Sequence, residues 1–158
     1  MKILVALACA VLVGCGGGGS ETSSTSSDPQ PYVEPAPIPA PTTNELLAAV
    51  NEARASGRTC GTTPYPAAPP VTWDNGLAAA AYAHSLDMLT NNFLSVAPTG
   101  EAIIGTNTVN LPFAEDVVTA MLGSPTNCRA IMGSTFRAVG AGSAEGDGCR
   151  YVTFDFAE

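Results

Sequence analysis

Lysine and histidine are the two scarcities that constrain this chain most. Lys2 is the only lysine and His84 the only histidine; basic residues number 6 against 14 acidic ones, for a formal net charge of -8. Such a chain lacks the clustered Lys and Arg that phosphate contacts need, which excludes nucleic acid as a partner. Electrostatic pull toward anionic lipid is weak for the same reason. One histidine cannot build a zinc site from imidazoles at two separate positions, so no metal and no cofactor is expected. Charged residues make up only 13% of the chain, about half the usual share for a globular protein. The apolar run from Ile3 to Val13 is shorter than the roughly 20 residues that span a bilayer. What remains is a hydrophobic content of 46% in 158 residues, enough for one domain with a real core plus appendages.

The N-terminus reads as a leader. Lys2 is a minimal positive region, and the apolar run after it ends in Leu12-Val13-Gly14-Cys15. That ending looks like a bacterial lipobox, whose cysteine thiol becomes a thioether to diacylglycerol before cleavage leaves it first in the chain. Residues 1–14 are then a lipoprotein signal peptide, and Cys15 attaches the protein to a membrane through acyl chains, each buried CH₂ adding about 0.8 kcal/mol. The alternative is an ordinary secretory signal cut near Gly14. Gly16, rather than aspartate, follows the cysteine, so an outer-membrane or cell-surface location in the envelope is expected. Residues 15–43 are a Gly run, a Ser/Thr run and then Pro35-Ala36-Pro37-Ile38-Pro39-Ala40-Pro41. The first half is expected to be flexible and the second extended, as a stalk. A Pro-rich recognition segment is the competing reading, without the flanking basic residues that such ligands carry.

The folded unit is expected over residues 44–158. Thr42 and Glu45 form a capping-box pattern ahead of Leu46, Leu47, Val50 and Ala53 at helical spacing, with Gly57 as the stop. Residues 58–71 read as irregular. Asp74 caps a second helix to about Asn91. It carries two apolar stripes, Leu77–Ala81–His84–Met88 and Tyr82–Leu86–Leu89–Phe93, which predicts cover on two sides. Residues 94–111 are loop-like with a short strand at Ala102–Ile104. Helices follow over Pro112–Leu122 and over Ser124–Met132, the latter with Ser124 as N-cap and Pro125 at its first position. Strands Phe136–Gly142 and Arg150–Phe156 close the chain as a hairpin.

Ser124-Pro125-Thr126-Asn127-Cys128-Arg129-Ala130-Ile131-Met132 resembles the "S-P-G-H-C-x-x-I-M" block of bacterial CAP-superfamily proteins (cysteine-rich secretory, antigen-5 and pathogenesis-related proteins; the SCP domain). Other blocks are similar to that family in its order. They are Asn51–Arg54 with Cys60-Gly61, Val71–Asp74 with Leu77–Ala81, His84–Met88, Gly100–Ile103, Phe136–Gly140 and Tyr151–Phe156. The resemblance implies an α+β fold, a three-layer α-β-α sandwich of the CAP/SCP type. It is shortened, because family members carry a longer segment before "G-E-N-I" than this chain has before Gly100-Glu101.

The departures fall on chemistry. The complete family cavity gathers two histidines and acidic residues and can hold a divalent metal. Here Val96 and Asn127 occupy the two histidine positions, which leaves Glu101 as the one matching carboxylate, with Asn127 placed to hydrogen-bond to it. Val96, Glu101 and Asn127 are therefore read as a vestigial cavity, with no catalytic residue. His84 reads as a hydrogen-bonded core histidine; the sharper alternative is a general base for Ser85, Ser95 or Cys149, for which no orienting third group is recognisable. Cys60, Cys128 and Cys149 allow three pairings in an oxidising compartment, and the resemblance favours Cys60–Cys128. The implied role is a non-catalytic binding or interaction module for a lipid, a small apolar ligand or a surface protein. A hydrolase acting on cell-wall or protein substrates is the alternative, and oligomeric state is left open. Replacing Cys15 with alanine is expected to move the protein from the membrane fraction to the soluble one on fractionation. Unchanged membrane association would contradict the anchor.

Overall fold

Capping chemistry starts the fold. The Thr42 hydroxyl accepts from the Glu45 amide while the Thr42 amide donates to Glu45 Oε2 at 2.7 Å, and that amide, with the Thr42 hydroxyl donating to the same oxygen, holds the Glu45 carboxyl below its ordinary pKa. Helix α1 (Thr43–Arg54) follows. The computed structural model describes residues 41–95, 100–107, 111, 113–146 and 148–158. The leader, Cys15, the stalk to residue 40 and Val96 lie outside them.

Residues 58–71, expected to be irregular, contain a small antiparallel hairpin of β1 (Arg58–Cys60) and β2 (Thr63–Tyr65). After β3 (Thr72–Trp73), Asp74 Oδ1 accepts from the Leu77 amide at 2.8 Å and begins α2 (Asn75–Asn91). Then come β4 (Glu101–Asn107), α3 (Ala114–Leu122), α4 (Pro125–Ile131), β5 (Ala138–Gly146) and β6 (Cys149–Ala157). Ser124 occupies the N-cap of α4 but makes no side-chain bond there; Pro125 at the first turn needs no N–H partner.

Four strands form one sheet in the order β3-β5-β6-β4, with β3 parallel to β5 and the other pairs antiparallel. Helix α2 covers one face, over β5 and β6, and α1, α3 and α4 cover the other. The chain is thus an α+β three-layer sandwich. Alternation along β6 divides the core. Val152, Phe154 and Phe156 join Val50, Val117, Val118, Met121 and Ile131 on the three-helix side, and Tyr151 joins Met88 and Ile103 beneath α2.

The second apolar stripe of α2 is covered only in part, at Leu89. Tyr82 is 50% exposed and Leu86 42%. The cause lies in β5. A Cβ on Gly140 would stand 2.0 Å from the Ala78 amide nitrogen, and one on Gly142 2.2 Å from that of Tyr82. Two glycines at strand spacing let the helix backbone lie directly on the sheet, so a narrow inner face makes the contact and the flanks stay in solvent.

Arg54 locks the other side. It is fully buried, yet its partners are all backbone carbonyls: Pro69 at 2.9 Å, Ile131 at 2.5 Å, Gly133 at 3.0 Å and Phe136 at 3.4 Å. One guanidinium therefore joins α1 to the segment before β3, to the end of α4 and to the approach to β5. Desolvation, and then repulsion from Arg137, lower its pKa, but an arginine remains charged at any physiological pH. Of the three cysteine pairings, the structure contains Cys60–Cys128, which ties the β1–β2 hairpin to α4 across 68 positions. In the chain-entropy model such a loop adds about 4 kcal/mol.

Arg54→Met keeps the volume and strands four carbonyls. A loss of about 3 to 5 kcal/mol in urea unfolding is expected. Arg54→Lys should recover less than half of it, because an ammonium cannot reproduce the fork. A lysine variant as stable as the parent would contradict this role.

Candidate functional site

The one histidine sits where α2 crosses the end of β4. His84 Nδ1 lies 2.5 Å from Glu101 Oε1, with side-chain exposures of 26% and 5%. Strand pairing sets the third member, because Glu101 opens β4 directly opposite Asp155 on β6. Like charges facing across a ladder are unfavourable. Burial first, then the negative charge of Glu101, push the Asp155 carboxyl up to about 6, with its hydrogen bond to Glu101 adding to the rise and the imidazole opposing it. The bland reading of His84 as a hydrogen-bonded histidine and the sharper one therefore share the same partner: Glu101 orients the ring, and with the proton on Nδ1, Nε2 is the basic atom. Sequence reasoning passes over Asp155. The alternation that sets Tyr151, Thr153 and Asp155 on one face of β6 is the signal that marks it.

No nucleophile accompanies this group as the sequence had offered it. Ser85 is fully buried, donates to the Gly142 carbonyl at 3.0 Å and lies 2.9 Å from Thr153 Oγ1. It pins α2 to the sheet and is not a partner of His84. Ser95 is exposed beyond the end of α2. Cys149, at the start of β6 and outside the disulfide, packs with Leu89 against Met88, Ile103 and Tyr151.

Asn127 does something other than bond to Glu101. Its Nδ2 donates to the Ile103 carbonyl at 2.7 Å, and its Oδ1 accepts from the Ile103 amide at 3.3 Å. The side-chain amide thus pairs with edge strand β4 as a neighbouring strand would, closing part of a backbone edge otherwise open to other chains. Glu101 turns to His84 on α2, and Asn127 to the strand backbone.

An apolar cavity of about 120 Å³ opens between α1, α3 and the sheet, walled by Leu46, Trp73, Val117, Ala141 and Val152, with Ser143 and Arg150 at its polar side. Arg150 is almost wholly buried, paired with Glu145 and donating to the Leu111 carbonyl at 3.2 Å. A larger groove of about 370 Å³ between α1 and α3 is polar, with Glu52, Arg58 and Glu115 on its sides. No helix among the described residues is long and apolar enough to cross a membrane.

A three-layer sandwich with this order of elements, a hairpin-to-α4 disulfide and the Glu101 position at the head of β4 defines a small secreted-type α-β-α domain. The family model for the cysteine-rich secretory protein family (CAP) matches residues 47–156, and the chain belongs to that family. Three solved structures show the same fold. Hookworm platelet inhibitor has a TM-score of 0.55 at 12% identity, covering 73% of this chain and 68% of its own. NaASP2, solved with Zn²⁺, has 0.53 at 13%, covering 72% and 77%. Na-ASP-1 has 0.51 at 16%, covering 72% of this chain and 38% of its own. No curated protein matches. CAP-domain proteins are typically extracellular, and a disulfide fits an oxidising compartment.

The donor set here does not fit a divalent metal of the kind held by NaASP2. The Asn127 amide is committed to Ile103, His84 Nδ1 faces Glu101, and among the described residues no group of three or more His, Cys, Asp or Glu side chains could hold an ion. No step is routed through one.

The raised carboxyl has a consequence for stability. Folding favours protonated Asp155, so its contribution is complete below the unfolded value of about 3.9 and is lost as pH rises through about 6. Unfolding midpoints in urea should therefore fall between about pH 4 and 6 by an increment that Asp155→Asn, neutral throughout, removes. The same slope in both proteins would exclude Asp155 as its source.

Proposed function

We propose that this CAP domain is a non-catalytic binding module of the cell envelope, tethered through lipidated Cys15 and taking up a small apolar or lipid ligand. The observation that supports it is the cavity walled by Leu46, Trp73, Val117, Ala141 and Val152. Its volume is comparable to that of cavities that accept one small aromatic ring, so it suits a short apolar molecule or the end of an acyl chain. The buried Arg150 beside it favours a ligand with a polar or anionic end. The exchange of histidine for Asn127, with its amide engaged by the strand, supports the non-catalytic part.

Hydrolysis of cell-wall or protein substrates is the second reading, favoured by the oriented His84–Glu101–Asp155 group. Touching carboxylates leave no room for a sugar between them, against the roughly 5 to 9 Å that glycoside hydrolysis needs.

One comparison separates the two. Titrating the protein with a fluorescent fatty acid or sterol should give saturable binding that Ala141→Leu, by filling the cavity, abolishes while the fold's circular dichroism is kept. No saturable binding removes the ligand reading, and cleavage of peptidoglycan or casein that His84→Gln eliminates would favour the hydrolase.

A further inference from the structure

We infer that Glu145 is a displaceable stand-in for a ligand's own acid group, and that the cavity beside Trp73 is thereby selective for small monocarboxylates, which take over Arg150 from it. This rests on the uptake of a small apolar ligand proposed above, and names the chemical class of that ligand.

Strand pairing makes the arrangement. Glu145, near the end of β5, stands directly across the ladder from Arg150, near the start of β6. By alternation Ala141, Ser143 and Glu145 point to one side of β5, and Arg150 and Val152 to the same side of β6. Ala141, Ser143, Arg150 and Val152 line the cavity. Glu145 reaches the guanidinium from the rim, where its side chain is 44% exposed against 2% for Arg150.

The two buried arginines of this fold are satisfied in opposite ways. Arg54 is held by four backbone carbonyls and needs no carboxylate. Arg150 has, among the described residues, one carbonyl, that of Leu111 at 3.2 Å, and one carboxylate, that of Glu145. That carboxylate can exchange the guanidinium for water by side-chain rotation, because it already lies half in solvent. The guanidinium cannot move out to water in the same way, and a buried charge without its partner is strongly unfavourable. Glu145 therefore departs when a second carboxylate arrives to replace it. A hydrocarbon or an alcohol of the same size offers Arg150 no counter-charge and leaves Glu145 in place.

The rest of the wall fits an acid with a short tail. A guanidinium takes a carboxylate through paired N–H groups, and Ser143, next along the same face of β5, adds a hydroxyl donor. Trp73, Val117 and Val152 receive the apolar part. The volume of about 120 Å³ is close to that of cavities that accept benzene, which limits the tail to roughly six carbons.

Trp73 is the one tryptophan of the chain and stands in the cavity wall, so its emission reads occupancy. The full chain carrying Cys15→Ala, in which no acyl chain competes, is titrated with hexanoate and with 1-hexanol. Glu145 acts as an intramolecular competitor, with an effective concentration on the order of millimolar or above. Glu145→Gln should therefore tighten hexanoate binding at least about tenfold and leave 1-hexanol within about twofold. Glu145→Asp, which keeps the charge and shortens the reach, should fall between. Hexanoate should also raise the melting temperature of Glu145→Gln more than that of the parent, because it restores the counter-charge of Arg150. Equal hexanoate affinity in the parent and both variants overturns the proposal, as does 1-hexanol tightening in step with hexanoate. Binding of 1-hexanol with no binding of hexanoate overturns it too and leaves the apolar-ligand reading standing, whereas binding of neither removes both.

Discussion

The rest of the fold depends on a buried charge that has no counter-charge. Arg54 is surrounded by carbonyl oxygens contributed by three separate segments. Burying a guanidinium costs several kcal/mol, and here the cost is offset by dipoles, two of them at the C-terminal end of α4, where a cation is favoured. A carboxylate partner could have satisfied the arginine from one direction. Four carbonyls require α1, the stretch before β3, α4 and the start of β5 to take up one relative placement. That placement brings β3 beside β5 and holds α4 where Cys128 meets Cys60 and Asn127 meets β4.

Much of this was legible in the residues, and the parts that were not share a cause. The caps at Thr42, Glu45 and Asp74 act within three residues, and local chemistry alone predicts them. The alternation of β6 is equally local. The site is different. His84, Glu101 and Asp155 lie on three elements, and their meeting depends on the β4–β6 register and on how closely α2 approaches β5. The expectation that α2 is covered on two sides was met only at Leu89 on the second stripe, for a related reason. Apolar stripes state what a helix can bury, whereas the amount buried was set by Gly140 and Gly142 on a different element. Glycines at strand spacing beneath a helix rich in alanine are the pattern that would have indicated it.

Asn127 alters what the exchanged histidine means. Counting imidazoles shows only a loss. In the structure the replacement side chain has a donor and an acceptor matched to the two backbone groups of Ile103, a pairing that one imidazole in a single tautomer and plane would not reproduce. Helix α4 is thereby held at three kinds of contact: the disulfide at Cys128, the core contacts of Ile131 and the strand contact of Asn127. Asn127 thus serves the sheet edge, and the titratable cluster of His84, Glu101 and Asp155 lies on the opposite face.

The two faces of the sheet divide the chemistry accordingly. On the three-helix side, large side chains from α1, α3 and α4 interlock, yet Ala141 is too small to fill the space under Trp73, and an apolar cavity persists beside the buried Arg150. On the α2 side the helix backbone rests on glycines. What that side has is polar pinning by Ser85 and Thr153, a hydrogen-bonded cluster of His84, Glu101 and Asp155, and an apolar outer surface. The two glycines set this side: a side chain at Gly142 would lift α2 and separate His84 from Glu101. Close packing of that helix is thus the condition for the titratable cluster, and the exposed stripe is its geometric consequence.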